Sequence, residues 1–151
     1  MNVVEGSLDQ SDGGPVCRIG AYAMPLPDAF LARRSTLARA IGRTVAVGVR
    51  PEAIVTAEGE ATGIAGTVVV AEALGSEVLA HVAIDATPVL RDEVREGLSD
   101  QLAAIGQREQ GQTTIVARLP ADTSLRRGDS VTLSLEPEKV HFFDLSDGRA
   151  L

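Results

Sequence analysis

Aromatic residues are scarce in this sequence, which contains three Phe, one Tyr and no Trp among 151 residues. The core must therefore be built from Val, Leu, Ile and Ala side chains. Barrels that bind single-stranded nucleic acid use aromatic rings as stacking platforms for the bases, and such rings are few here. The formal net charge of −7 also leaves no cationic footprint for a nucleic acid or an anionic membrane. Both observations argue against nucleic acid as a partner.

Cysteine is limited to Cys17, so the chain can form neither an intramolecular disulfide nor a thiolate metal cluster. We expect Cys17 to be a small, buried, apolar side chain. Long apolar runs are also missing, since no stretch approaches the ~18 consecutive residues of a membrane span. Glu5, Asp9 and Asp12 lie where the apolar part of a signal peptide would have to be. We therefore expect a cytoplasmic protein that reaches a membrane only through a partner.

Motifs for catalysis are absent as well. No Ser lies in a Gly-x-Ser-x-Gly turn, and no glycine-rich loop ends in the Gly-Lys-Ser/Thr of a P-loop. His81 and His141 lie in strand-like runs, without a second His or a Cys at ligand spacing. An enzyme would need these two histidines to meet a carboxylate in the fold. We interpret the chain as a binding or regulatory module with no catalytic, cofactor-binding or metal-binding residue.

Short runs of β-branched and alternating residues dominate the rest of the chain. Two strands are expected around the Gly13-Gly14 turn, and a hairpin is expected from Thr67–Ala71 and Val78–Ile84 with its turn at Gly75. Val131, Leu133 and Leu135 alternate with polar residues, as a half-buried strand requires. Five or more such strands, separated by Gly and Pro turns, predict a mainly β fold, either a small barrel or a sandwich.

One modest helix is predicted within "PDAFLARRSTLARAIGR", with Asp28 as the N-cap and Phe30, Leu37 and Ile41 on the apolar face. The other face carries the chain's basic cluster, namely Arg33, Arg34, Arg39 and Arg43. This cluster is interpreted either as a solvated face or as a surface for an acidic partner.

A second helical segment is predicted as an insertion at about 87–107. Apolar residues are spaced by 4, 4, 4 and 3 along one face, and Thr87-Pro88 would supply an N-cap followed by proline at the first helical position. Gly97 in its middle costs ~1 kcal/mol relative to alanine, so the helix needs a docking partner. The stripe would dock on its own barrel or on another chain. Its members are Leu90, Val94, Leu98, Leu102 and Ile105.

The segment "VAVGVRPEAI" runs a strand into an Arg-Pro-Glu corner. Val45, Val47 and Val49 are predicted to face the core, and Pro51 to end the strand because it has no N–H for a ladder. Arg50 and Glu52 would then be held at the rim, either paired with each other or bracing a neighbouring segment. An exposed pair contributes only ~0–1 kcal/mol, so we interpret both as architectural, with a role in orientation.

The closing segment, His141 to Asp144, is the candidate interface. It contains Phe142 and Phe143, two of the chain's three Phe residues. Because neighbouring residues of a strand point to opposite faces, one of the two rings must point away from the core. That ring is covered either by another element of the same chain or by a second subunit. The candidate contact residues are His141, Phe142, Phe143 and Asp144.

Four segments occur here in the order seen in one family: "MNVVEGSL", "VAVGVRPEAI", "GTVVVAEALGSEVLAHVAI" and "LRRGDSVTLSLEPEKVHFFDLSDGRAL". Together they resemble the C-terminal regulatory domain of the ATP-binding subunits of sugar importers of the MalK/UgpC type. The residues that carry the family signature are Gly48, Arg50, Pro51, Glu52, Glu72 and Gly75. The 87–107 insertion resembles that of the actinobacterial trehalose-importer branch.

The resemblance implies an OB-like β-barrel of the TOBE/MOP-like kind, with additional strands and one or two short helices. It implies that residues 1–151 are a fragment, a regulatory and dimerisation domain that lacks the preceding ATPase domain. ATP and Mg would be bound by that absent domain, and no cofactor by this chain. The implied partners are a second copy, the ATPase domain, the membrane permease subunits and a cytoplasmic regulator, at the inner face of the cell membrane.

Two departures from the family pattern put functions of those side chains in doubt. Ala53 stands where the family usually has His, and Val3 where an aromatic residue often follows the opening Asn. The alternative function is a small-ligand-sensing barrel for a sugar or for an oxyanion such as molybdate. The sequence lacks the Ser/Ala-Arg-Asn run associated with molybdate binding.

Overall fold

Two five-stranded antiparallel sheets form the framework of the computed structural model, which describes residues 1–57, 62–89 and 112–151. The first sheet has the strand order β10-β4-β1-β2-β3 and the second has the order β5-β9-β6-β7-β8. The mainly β prediction is confirmed. The strands are β1 (Asn2–Ser11), β2 (Gly14–Ile19), β3 (Tyr22–Pro25), β4 (Thr44–Val49), β5 (Ile54–Thr56), β6 (Ile64–Ala73), β7 (Glu77–Asp85), β8 (Gln112–Pro120), β9 (Ser130–Leu135) and β10 (Val140–Phe143).

The second sheet curls so that its two edge strands, β5 and β8, contact each other. The result is a half-barrel rather than a closed one. In the described residues β5 pairs only with β9 and β8 only with β7, so no ladder joins the two edges. The core between the sheets is aliphatic, as the composition predicts, with Leu8, Val47 and Val82 all completely buried.

The N-terminal region contains three strands, where two were predicted. The extra turn lies at Gly20, which has φ +56° and separates β2 from β3. A Cβ at this position would lie 1.9 Å from the carbonyl oxygen of Asp85, so the backbone of the second sheet's β7 passes directly against it. The alternation of residues in "VCRIGAYAMP" is that of a single strand. It does not reveal the turn at Gly20, because the close approach to β7 is a tertiary contact.

The prediction of one helix within residues 27–43 is wrong, since the structure has two short helices there, α1 (Asp28–Ala32) and α2 (Ser35–Ala38). Asp28 is the first residue of α1, and the N-cap is Pro27 without a side-chain hydrogen bond. Arg34 leaves the helical region with φ −131° and ψ 68°. Its guanidinium lies 4.5 Å above the Phe30 ring and donates to the carbonyl oxygen of Val140 at 3.3 Å. The bond to Val140 is a tertiary contact at the position where the helix breaks.

The basic cluster finds its acidic partners in the same chain. Arg33 pairs with Glu138, and Arg43 Nη2 donates to Asp144 Oδ2 at 2.7 Å. Together with Arg34, these arginines attach the helical segment to β10 and its flanks. Arg33 and Arg43 remain exposed despite these ion pairs, as a solvated face requires, and the surface for an acidic partner stays a prediction. Arg39, the remaining member, is exposed.

Two proline corners carry the chain between the sheets. β4 ends at Val49, a 3₁₀ turn occupies Pro51–Ala53, and β5 continues in the other sheet. β9 likewise passes through a 3₁₀ turn at Pro137–Lys139 into β10. The two segments run antiparallel as one bent ribbon, because Val49 pairs with Val140 and Ile54 with Leu135. The predicted burial of the β4 valines and the strand end before Pro51 are confirmed.

The predicted β6–β7 hairpin is confirmed, with Gly75 in its turn at φ +87°. The ladder is longer than expected and contains an irregularity between Val68 and Val70. The predicted start of the 87–107 helix is wrong, because Pro88 forms a β-bridge with Val4 and Thr87 O accepts from the Glu5 N–H at 2.8 Å. The apolar stripe of that insertion lies outside the described residues.

Candidate functional site

The outward side of the first sheet, centred on Gly48, holds the exposed part of the predicted interface. Gly48 of β4 pairs with Val3 of β1 and with His141 of β10. Directly opposed residues of antiparallel strands present their side chains on the same face. Two residues along the ribbon, Phe143 is opposite Ala46 and therefore shares that face.

Glycine at position 48 allows neighbouring side chains to lie across the strand. A Cβ there would lie 3.0 Å from Phe143 Cε2 and 3.1 Å from Met1 Sδ, closer than most real contacts. The His141 and Phe143 rings stack at 30° with centroids 6.5 Å apart. We call this surface the Gly48 face and define it as Met1, Val3, Gly48, His141 and Phe143.

The Gly48 face presents mainly apolar side chains that are partly open to solvent, and Glu5 borders it on the same side of the sheet. Met1 is 63% exposed and Val3 is 37% exposed. His141 is also exposed, and Phe143 is half-buried. Large exposed apolar side chains that share one face form the type of surface that mediates protein contacts.

Phe142 does not belong to this surface, although it was predicted as a candidate contact residue. It pairs with Val47 on the inward side and is 1% exposed. Its ring packs edge-to-face on Phe30, with centroids 6.3 Å apart. Alternation correctly required one outward ring, and the register of β10 against β4 makes it Phe143.

Asp144, the fourth candidate contact residue, holds its own turn together. Its Oδ1 accepts from the Ser146 N–H at 2.8 Å and from the Ser146 hydroxyl at 2.5 Å, while Oδ2 accepts from Arg43. The bonds from Ser146, and then those from Arg43, lower the pKa of Asp144 from 3.8 to about 2. Both carboxylate oxygens are thus engaged within the chain.

The signature residues lie in two separate parts of the fold. Arg50 and Glu52 are exposed at the first corner, where the Ala53 N–H donates to Arg50 O at 2.9 Å. Among the described residues they form no ion pair with each other, so the first option, mutual pairing, is not observed.

Glu72 and Gly75 are exposed in the β6–β7 hairpin of the second sheet. The hairpin turn is closed by the Leu74 N–H donating to Glu77 O at 2.8 Å.

The two histidines that were considered for catalysis or metal binding lie in different sheets. His81 lies in the second sheet, opposite Val116, and His141 lies in the first. Within residues 1–57, 62–89 and 112–151, no group of three His, Cys, Asp or Glu is placed to hold a metal ion. Cys17 is fully buried, as predicted, and burial raises the pKa of its thiol to about 12. A thiol with that pKa is unreactive at neutral pH.

A polar groove between the first sheet and the end of β7 bears on the ligand-sensing alternative. Its lining includes Glu5, Arg18, Asp85 and Thr87. Arg18 Nε is already paired with Asp9 Oδ2 at 3.3 Å. Two carboxylates beside a neutralised arginine would repel an oxyanion, so the groove gives no support to a molybdate-type site.

Comparison with known proteins agrees with this architecture. A family model described as a TOBE domain matches residues 47–110, less than half of the chain. The described residues form a mainly β fold, and the TOBE-domain match covers the middle of the sequence. The match begins inside β4 and includes the first corner.

One relative extends the comparison over more of the chain. The sulfoquinovosyl glycerol transport ATP-binding protein SmoE of Agrobacterium fabrum is 28% identical over 110 residues, 73% of this chain and 24% of that protein. The chain therefore spans about a quarter of the length of the relative that it matches. The similarity is distant, and it links the chain to the ATP-binding proteins of sugar-type transport.

In the described ranges, no helix has the length and apolar character needed to cross a membrane. The longer of the two α-helices in this part of the chain has five residues.

Proposed function

We propose that this chain is a regulatory and dimerisation domain of the ATP-binding subunit of a carbohydrate importer. The observation that carries the proposal is the similarity to a transport ATP-binding protein over 73% of the chain. The TOBE-domain match and the two-sheet fold support it. The narrower placement in a trehalose-importer branch stays a prediction, because it depends on the 87–107 insertion alone.

Under this proposal, residues 1–151 are part of a larger subunit whose ATPase domain binds ATP and Mg²⁺. That domain would contact the membrane permease subunits and so place this domain at the cytoplasmic face of the membrane. The present chain contains no P-loop, so it should not bind ATP. Calorimetric titration of the chain with Mg-ATP should give no binding heat. Saturable micromolar binding would contradict the proposal.

We propose the Gly48 face as the contact surface for a second copy. Two copies together carry a formal charge of −14, twice the −7 of one chain, and so repel each other. Contact is most favourable where the surface is apolar, as at Val3 and Phe143. Self-association should accordingly strengthen as the ionic strength rises, because salt screens the like charges.

Substitutions that place a charge on this face provide the test. Val3→Asp and Phe143→Asp should each weaken self-association at least tenfold in sedimentation velocity experiments. Val70→Asp is the matched control, since Val70 is 42% exposed on a strand of the second sheet and Val3 is 37% exposed on a strand of the first. Equal weakening by all three variants, or by none, would exclude the Gly48 face as the dimer contact.

A further inference from the structure

The two edges of the curled second sheet meet at a seam without a ladder. β8 lies beside the first corner and β5, yet its pairing partner in the described residues is β7 alone. The seam is lined on its inner side by apolar residues, among them Val49, Ile54 and Ile115. Something other than strand pairing must satisfy the backbone groups that β8 turns toward this seam.

Asn2 is the only asparagine in the sequence. It belongs to β1 of the first sheet, and its side chain reaches the seam. Its Oδ1 accepts from the Val116 N–H at 2.8 Å, and its Nδ2 donates to Val116 O at 2.8 Å. The side-chain amide thus pairs with both backbone groups of one β8 residue, as a neighbouring strand would. The same Nδ2 also donates to Val49 O at 3.2 Å, at the end of β4.

We infer that the Asn2 amide is a conformational clasp that replaces the missing strand contact at the seam. It joins β8 to the end of β4, directly before the Arg50-Pro51-Glu52 corner, and thereby fixes the curled sheet against the first sheet. Asparagine suits the position because one short side chain must supply an acceptor and two donor hydrogens. Release of the clasp opens β8 locally at Val116, while the pairing of β8 with β7 remains.

Amide hydrogen exchange measured by NMR tests this clasp. Val116 is expected to exchange about tenfold faster or more in Asn2→Ala than in the natural chain, because its acceptor is removed. Asn2→Asp is the matched variant, since it keeps an acceptor for the Val116 N–H but loses both donors. Protection of Val116 should fall in Asn2→Asp as well, because the second carboxylate oxygen would face the carbonyl oxygens of Val116 and Val49 in place of the amide donor.

Internal controls separate local opening from general loss of stability. Ile115 and Ala117 point their amides toward β7, because backbone groups alternate sides along a strand. They should keep their exchange rates in both variants. Unchanged exchange at Val116 in Asn2→Ala would overturn the inference, as would equal acceleration of Val116, Ile115 and Ala117.

A measurement on the natural chain keeps the inference testable if Asn2→Ala fails to fold. Selective ¹⁵N labelling of asparagine gives a single side-chain amide pair. Both of its hydrogens should be protected from exchange relative to free asparagine by about tenfold or more. Exchange at the rate of free asparagine would overturn the clasp.

Discussion

The two proline corners have the same backbone and different surroundings. In each, an extended residue precedes proline, with ψ 145° at Arg50 and 123° at Glu136. In each, the N–H three residues later donates back across the turn at 2.9 Å, from Ala53 to Arg50 and from Lys139 to Glu136. A β-branched residue then enters the next sheet, and it is buried in both cases: Ile54 is 1% exposed and Val140 is 0% exposed.

The surroundings differ at the third residue of each turn. Ala53 is 8% exposed, because β8 packs against the first corner, whereas Lys139 is exposed. The second corner also engages its charges, with Lys139 Nζ 3.1 Å from Glu136 Oε2 and Glu138 paired with Arg33. Arg50 and Glu52 do not pair with each other. The comparison shows that proline and strand register determine the backbone conformation of each turn. The pairing of the charged side chains depends instead on which segments pack beside the turn.

The largest effect should come from the buried residues that follow the turns. Ile54→Ala should reduce the free energy of unfolding by about 2–5 kcal/mol, and Val140→Ala by about 2 kcal/mol, through lost burial and a residual cavity. Urea denaturation measures both. A decrease in unfolding free energy below about 0.5 kcal/mol at either position would mean that the two buried residues do not stabilise the core to a similar extent.

The third residue of each turn should distinguish the corners. Ala53→Lys places a long charged side chain where β8 packs, so we expect a loss of about 1–3 kcal/mol in unfolding free energy. The reciprocal change, Lys139→Ala, affects an exposed side chain and should stay within about 0.5 kcal/mol. Similar losses in the two variants would show that the first corner is not covered by β8.

The prolines themselves should contribute alike. Pro51→Ala and Pro137→Ala should each lower the unfolding free energy by about 0.4–1 kcal/mol, mainly because the unfolded chain gains conformational freedom. The two midpoints in thermal denaturation should therefore shift by the same amount. A several-fold difference between them would argue that one turn is strained.

A pH response is expected at the segment after the second corner, which contains Asp144. The lowered pKa of Asp144 means that its native hydrogen bonds stabilise the fold fully above its ordinary pKa of 3.8. This contribution is lost as the pH falls from about 3.8 toward about 2. β5, after the first corner, carries no titratable side chain.

Carboxyl titration by NMR measures that midpoint directly. Ser146→Ala and Arg43→Ala should each raise it, since the Ser146 hydroxyl and the Arg43 guanidinium both lower the pKa of Asp144. A midpoint near 4 in the natural chain, or an unchanged midpoint in both variants, would contradict the assignment.

Local patterns predicted the parts of the fold that depend on neighbours in sequence. Alternation identified the buried face of β4, and Gly75 identified the hairpin turn. The similarity between "RPEAI" and "EPEKV" was also visible in the sequence and would have indicated two equivalent corners. It was missed because a five-residue repeat does not reveal by itself that the flanking strands pair.

Features that depend on distant contacts were not predictable in this way. Arg34, where the helix breaks, bonds with Val140, 106 positions away, and the Asn2 amide bonds with Val116, 114 positions away. The outward ring could be predicted to be either Phe142 or Phe143, and only the register of β10 against β4 decides between them. Tertiary packing, rather than local propensity, places these side chains.

The bent ribbon has a consequence for how the molecule melts. Its two segments each contribute one strand to each sheet, so the backbone pairs of one sheet continue through the two corners into the pairs of the other. The two layers should therefore denature in one all-or-none transition, with the calorimetric enthalpy equal to the van't Hoff enthalpy.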